Sequence, residues 1–167
     1  MKKALVLYHS LYGNTRAVAM SLAEGIREGG IETDCLSINE VDFQEIPGYD
    51  FIAIGGPTHI IRTSKEMKDF LQRLKSHDLR GHTGFAFDTR NISRMNSKSW
   101  LVLENSAARR IEGSMKRLKI KILAPRASAI VEGREGPLDV GVEDRFVEIG
   151  RELGRAIALQ TPLPRSQ

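Results

Sequence analysis

At 167 residues the chain suits one domain, and its 41% hydrophobic and 28% charged residues give a soluble, globular composition with enough length for an ordinary core. Its single cysteine, Cys35, excludes an internal disulfide and a cysteine-rich metal site, and suits a reducing compartment such as the cytoplasm. A net charge of +4 and a pI of about 9.4 raise nucleic acid as a partner, but the signs are mixed and no aromatic residues interleave with the basic ones; no apolar run approaches the length of a membrane span, so neither nucleic acid nor a membrane is expected.

Met1-Lys2-Lys3 before an apolar run imitates a signal peptide, yet the run 4–8 is short and meets His9 and Ser10 at once, as a central parallel strand does. Residues 14–28 follow as a helix with Val18, Leu22 and Ile26 on one stripe, stopped by Gly29-Gly30. The more polar segment 32–38 reads as a strand near an edge. Residues 51–54 form the next buried strand, which Gly55-Gly56-Pro57 is expected to end. Thr63 and Glu66 have capping-box spacing before a helix with Met67, Phe70, Leu71 and Leu74 on its stripe. A fourth strand is expected over 84–87. A crossover helix carries Ala107, Ile111, Met115 and Leu118, and the basic run 116–121 at its end suits the helix dipole. A fifth strand starts at 120–123, breaks at Pro125 and resumes at 127–131. The last helix carries Val142, Phe146, Ile149, Leu153 and Ile157.

Strand–helix alternation with right-handed crossovers predicts an α/β fold: a five-stranded parallel sheet of order 2-1-3-4-5 with helices on both faces. Its ligand crevice lies at the carboxyl ends of strands one and three. One domain is expected over 1–160, with a frayed tail over 161–167 and a long polar connection over 91–103.

Between the first strand and first helix stand Ser10, Leu11, Tyr12, Gly13, Asn14 and Thr15. Gly13 permits a tight turn, and backbone N–H groups at a helix start converge on an anion. Read alone, the loop is either a phosphate nest or a capped strand–helix turn. A Walker loop, a three-glycine dinucleotide fingerprint and zinc-ligand spacings are all absent from the sequence.

The wider pattern Val6-Leu7-Tyr8-x-Ser10-x-x-Gly13-x-Thr15-x-x-x-Ala19-x-x-Leu22 resembles the flavodoxin family signature. Ile54-Gly55-Gly56-Pro57-Thr58-His59 and Phe85-Ala86-Phe87-Asp88-Thr89-Arg90 resemble that family's second and third flavin loops. Segments 106–112 and 132–138 also look similar to its single-domain members. The resemblance implies a flavodoxin-like three-layer sandwich that binds FMN. It implies that Ser10, Leu11, Tyr12, Gly13, Asn14 and Thr15 hold the phosphate. Pro57, Thr58, His59 and Ile60 on one side, and Asp88, Thr89, Arg90 and Asn91 on the other, then flank the isoalloxazine ring.

The sequence departs from the family at several points. His59 stands where many relatives place a large aromatic residue, either to stack on the ring or simply as a loop histidine. Trp100 covers either the ring or, in the favoured reading, the sheet edge. Ile60 and Ile61 replace the glycine that relatives use for a peptide flip. Arg62, Lys65, Arg90, Arg94 and Lys98 make the expected rim basic, which suits acidic partners or a phosphorylated donor. The implied function is an FMN electron carrier between redox partner proteins, with no catalytic side chain and no metal. The alternatives are an FMN-dependent NAD(P)H:quinone oxidoreductase and a flavin-free interaction module.

Overall fold

The computed structural model describes residues 1–59, 62–91 and 106–160. Its strands are β1 (Lys3–Tyr8), β2 (Glu32–Ser37), β3 (Phe51–His59), β4 (Arg62–Thr63), β5 (Thr83–Asn91), β6 (Lys121–Ile122) and β7 (Ala127–Val131). Its helices are α1 (Asn14–Glu28), α2 (Lys65–Leu74), α3 (Ala107–Arg117) and α4 (Val142–Leu159). The parallel order is β2-β1-β3-β5, and both β6 and β7 pair with β5 on its far side. The expected order 2-1-3-4-5 is therefore present, with β6 and β7 as the two halves of the fifth strand. Pro125 lies in the break, where its missing N–H costs no ladder bond.

Period-two alternation sends the strands' apolar side chains to two separate cores. Leu5, Leu7, Ile52, Ile54 and Ala86 pack beneath α2 and α3 with Met67, Phe70, Leu74 and Ile111. Ala4, Val6, Phe51, Ala53, Phe85 and Phe87 pack beneath α1 and α4 with Val18, Leu22, Ile26 and Phe146. Burial on both faces is why the strands read as continuous apolar runs.

α1 and α4 meet backbone to backbone. A Cβ on Gly25 would lie 2.0 Å from Val147 O, and one on Gly150 would lie 2.3 Å from Leu22 O. No larger residue permits that approach without moving a helix.

Three local expectations are corrected. Gly55-Gly56-Pro57 does not end β3, which runs on to His59 in register with β5. A Cβ on Gly55 would fall 2.1 Å from the Phe87 ring, so this glycine makes room for a neighbour rather than turning the chain. The α2 cap is Ser64, whose Oγ accepts from Met67 N–H at 3.3 Å; Thr63 instead lies in β4, antiparallel to β3. The fourth strand continues beyond Phe87 to Asn91, so 88–91 is strand and not loop. The tail 161–167, Trp100 and most of the 91–103 connection lie outside the described residues.

α3 ends in a Schellman arrangement, with Ile120 N–H donating to Met115 O and Lys119 N–H to Lys116 O, both at 3.0 Å. Lys119 takes the left-handed position at φ +63, where glycine is free of strain. Lys119→Gly should raise the unfolding free energy by about 0.5–1 kcal/mol, read from urea titration; a loss would contradict this cap.

Cys35 is half-buried on β2, and its thiol is pushed up from 9.0 to about 11, first by burial, with Arg27 and Arg16 opposing. The unfolded chain releases this proton near pH 9.0 and the folded chain near about 11. The thiol's contribution is thus complete below pH 9.0 and is lost as pH rises through about 11. Iodoacetamide should label native Cys35 at pH 8 far more slowly than the urea-unfolded chain; equal rates would contradict the burial.

Candidate functional site

β1 stops at Tyr8 while β3 and β5 run on, which leaves a step at the carboxyl edge of the sheet. His9 holds the step by donating its backbone N–H to Gly55 O at 3.0 Å. The chain then turns through Gly13, whose φ of +92 glycine adopts freely. Gly13 N–H donates to Ser10 Oγ at 3.1 Å and Ala17 N–H to Gly13 O at 3.0 Å. The amides of Leu11, Tyr12, Asn14, Thr15 and Arg16 meet no acceptor among the described residues. They are the donors that a helix start cannot satisfy within itself, and the dipole adds partial positive charge there.

The side chains of this loop have different tasks. Leu11 and Tyr12 are 50% and 45% exposed. Asn14 Nδ2 donates to Glu135 O at 3.0 Å, which ties the loop to segment 132–138. Thr15 is buried, and its Oγ1 lies 2.8 Å from Thr89 Oγ1, bonding the first turn of α1 to β5. Asn14 and Thr15 therefore fasten the loop in place, while Ser10 keeps a hydroxyl proton free to donate outward.

On the other sheet face Thr58, Asp88 and the start of α3 form one polar cluster. Thr58 Oγ1 donates to Asp88 Oδ2 at 2.7 Å and accepts from Ala107 N–H at 2.9 Å. Asp88 Oδ2 also accepts from Ala108 N–H at 3.3 Å, and Ser106 caps the helix by accepting from Arg109 N–H at 3.1 Å. A carboxylate suits those amides and the helix dipole. Asp88 is 0% exposed, and its Oδ1 is a buried oxygen without a partner among the described residues.

The three predicted segments thus come together at one sheet edge, in register at Gly56↔Asp88, Pro57↔Thr89 and Thr58↔Arg90. Asp88, Thr89 and Arg90 are buried strand residues, so only their backbone or their support of neighbours is offered to a ligand. Arg90, 5% exposed, is withdrawn from the expected basic rim, whereas Lys65 is exposed. Asn91 closes β5 half-buried. Ile60, Arg94 and Lys98 lie outside the described residues, as do the side chains of His59 and Arg62.

Sequence reasoning passed over His9 and Ser106. His9 is buried directly behind the loop, with Nε2 at 3.7 Å from Glu66 Oε2 in the first turn of α2. Only its place at the end of the first apolar run could have marked it. Ser106 stands three residues before Arg109, an ordinary N-cap signal that went unused.

Comparison with known proteins follows the same lines. The family profile described as Flavodoxin matches residues 6–149. A flavodoxin from Clostridium saccharobutylicum is 34% identical over 90 residues, 53% of this chain and 56% of that protein. An NAD(P)H dehydrogenase (quinone) from Cupriavidus metallidurans is 33% identical over 101 residues, 48% and 51% of the two chains. The chain spans about half the length of the curated relatives it matches. Among solved structures, a flavodoxin from the domain Archaea superposes with a TM-score of 0.78 at 20% identity, covering 93% of this chain and 99% of that one; this likeness is one of fold. The chain belongs to the flavodoxin family, whose members bind FMN.

Proposed function

We propose that this chain is an electron carrier that works through bound FMN and passes electrons between redox partner proteins. The observation that supports it best is the set of unengaged amides at Leu11, Tyr12, Asn14, Thr15 and Arg16, placed beside the carboxyl ends of β3 and β5. Those donors fit a phosphate dianion. In this reading Ser10, Leu11, Tyr12, Gly13, Asn14 and Thr15 hold the phosphate through backbone N–H groups and the Ser10 hydroxyl. Pro57, Thr58, His59 and Ile60 flank one side of the ring, and Asp88, Thr89, Arg90 and Asn91 the other. FMN supplies the ring that accepts and returns electrons; the protein binds it, orients it and shields it from water. The Thr58–Asp88 bond and the Thr15–Thr89 bond keep the three segments at fixed spacing. A net charge of +4 suits acidic partners, and a single cysteine, which leaves no internal disulfide, suits a cytoplasmic location. Among the described residues no helix is long and apolar enough to cross a membrane.

A second reading, an FMN-dependent NAD(P)H:quinone oxidoreductase, draws on the curated relatives that carry that name. One experiment separates the two. The FMN-loaded protein is mixed anaerobically with NADPH, and the flavin absorbance is followed before and after a quinone is added. A carrier keeps its yellow colour with NADPH and bleaches with dithionite. Rapid bleaching by NADPH, reversed by quinone in steady turnover, would establish the reductase instead.

A further inference from the structure

The charges of this chain are sorted across the sheet. Residues 31–50, which form β2 and the segment after it, hold six acids and no lysine or arginine. Residues 109–126, which form most of α3 and the β6 edge, hold seven lysines or arginines and one acid, Glu112. Because β2 and β6 end the order β2-β1-β3-β5-β6, the acids of 31–50 lie at one edge and the cations of α3 and β6 at the other, while the segment after β7 at that second edge carries Glu132, Glu135 and Asp139. Glu112 is buried and engages Lys116 at 3.1 Å and Arg126 at 3.2 Å. Arg110, Arg117, Lys119 and Lys121 are exposed and have no ion pair among the described residues.

We propose that the α3–β6 flank is the docking surface for an acidic partner protein; this rests on the electron-carrier reading and places the partner on it. Two further features favour this flank. α3 starts at the ring segments, with Ala107 N–H on Thr58, so the basic strip begins beside the site at Arg110 and runs back to Lys121. A partner lying along it keeps one end at the site. A groove of about 220 Å³ between α2 and α3, lined by Leu71, Lys75, Ser114, Arg117 and Leu118, offers apolar contact between cations.

The docking surface differs from the rim that sequence alone suggested. Arg90 is buried, and among the described residues a run of exposed cations lies along α3 and β6. The acidic β2 edge, meanwhile, repels an acidic partner from the opposite flank and orients its approach.

The test is calorimetric binding of the FMN-loaded chain to an acidic [2Fe–2S] ferredoxin used as probe, with basic cytochrome c as control. Binding should weaken about tenfold or more as salt rises from about 0.01 to about 0.15 M and the screening length falls from about 30 to about 8 Å. R117E together with K121E should weaken it about tenfold and flatten its salt dependence, while E40K on the β2 edge leaves it unchanged or tightens it. Lys119→Gly should be more stable than the parent and still bind more weakly, which separates docking from folding. Unchanged binding in the R117E–K121E double variant and in Lys119→Gly would overturn the proposal. So would tighter binding to phosphatidylglycerol vesicles or to duplex DNA than to the ferredoxin, or self-association at low salt that the same reversals abolish. Failure to take up FMN would remove the carrier reading and leave the binding result standing, because calorimetry reads association alone.

Discussion

Gly25→Ala is expected to lower the unfolding free energy by about 2 kcal/mol or more, and Gly150→Ala by a similar amount. Helix propensity argues the other way, since alanine is favoured over glycine in a helix interior by about 1 kcal/mol. Packing decides the sign. The added methyl of Gly25→Ala would stand 2.0 Å from Val147 O and 2.9 Å from Gly150 Cα, both backbone atoms that cannot rotate aside. α1 and α4 must then separate, and the core of Leu22, Ile26, Phe146 and Leu153 loosens with them. Gly113 in α3 supplies the control, because a Cβ there meets nothing within 4 Å. Gly113→Ala should therefore gain about 1 kcal/mol where Gly25→Ala loses. Urea titrations of the three variants read both signs, and stabilisation by Gly25→Ala would show that the helices do not touch as described.

Asp88→Ala is expected to destabilise the fold by about 3 kcal/mol and to weaken FMN binding as well. The carboxylate is fully buried and accepts from both Thr58 Oγ1 and Ala108 N–H. Its removal leaves the buried Ala108 amide without its acceptor and removes the side-chain tie between Thr58 on β3 and Asp88 on β5. Asp88→Asn keeps an acceptor oxygen and should cost less. Asp78→Ala, which breaks only an exposed pair with Arg80, should stay within about 0.5 kcal/mol. Denaturation and flavin fluorescence titration on the same samples check both effects; an Asp88→Ala protein as stable as the parent would mean that the cluster does not hold these elements together.

Much of the architecture was readable because its signals are local. α1 spans the residues its apolar stripe and the Gly29-Gly30 stop outline. The sheet order follows from alternation and handedness, and the split fifth strand from Pro125. The misreadings share one cause, a contact from elsewhere in the fold. Gly55-Gly56-Pro57 looks the same whether it ends a strand or makes room for Phe87 on the next one. Asp88 and Thr89 read as loop because they are polar, yet Thr58 and Thr15 partner them inside the sheet edge. Thr63 and Ser64 are adjacent cap candidates, and pairing of Thr63 with Thr58 decides between them. The site was legible as three segments at one edge, while the division of work within it was not. The side chains of Asn14 and Thr15 bond within the fold, to Glu135 O and Thr89 Oγ1, which only the folded chain reveals.

The central claim is that backbone donors after β1 grip a phosphate. Calorimetric titration of the apoprotein with FMN and, separately, with riboflavin tests it most directly, because the two ligands share the ring and differ in that group. The account predicts saturable FMN binding at least about a hundredfold tighter than riboflavin binding, equivalent to about 2.7 kcal/mol. Equal affinity for the two, or no uptake of FMN, would contradict it.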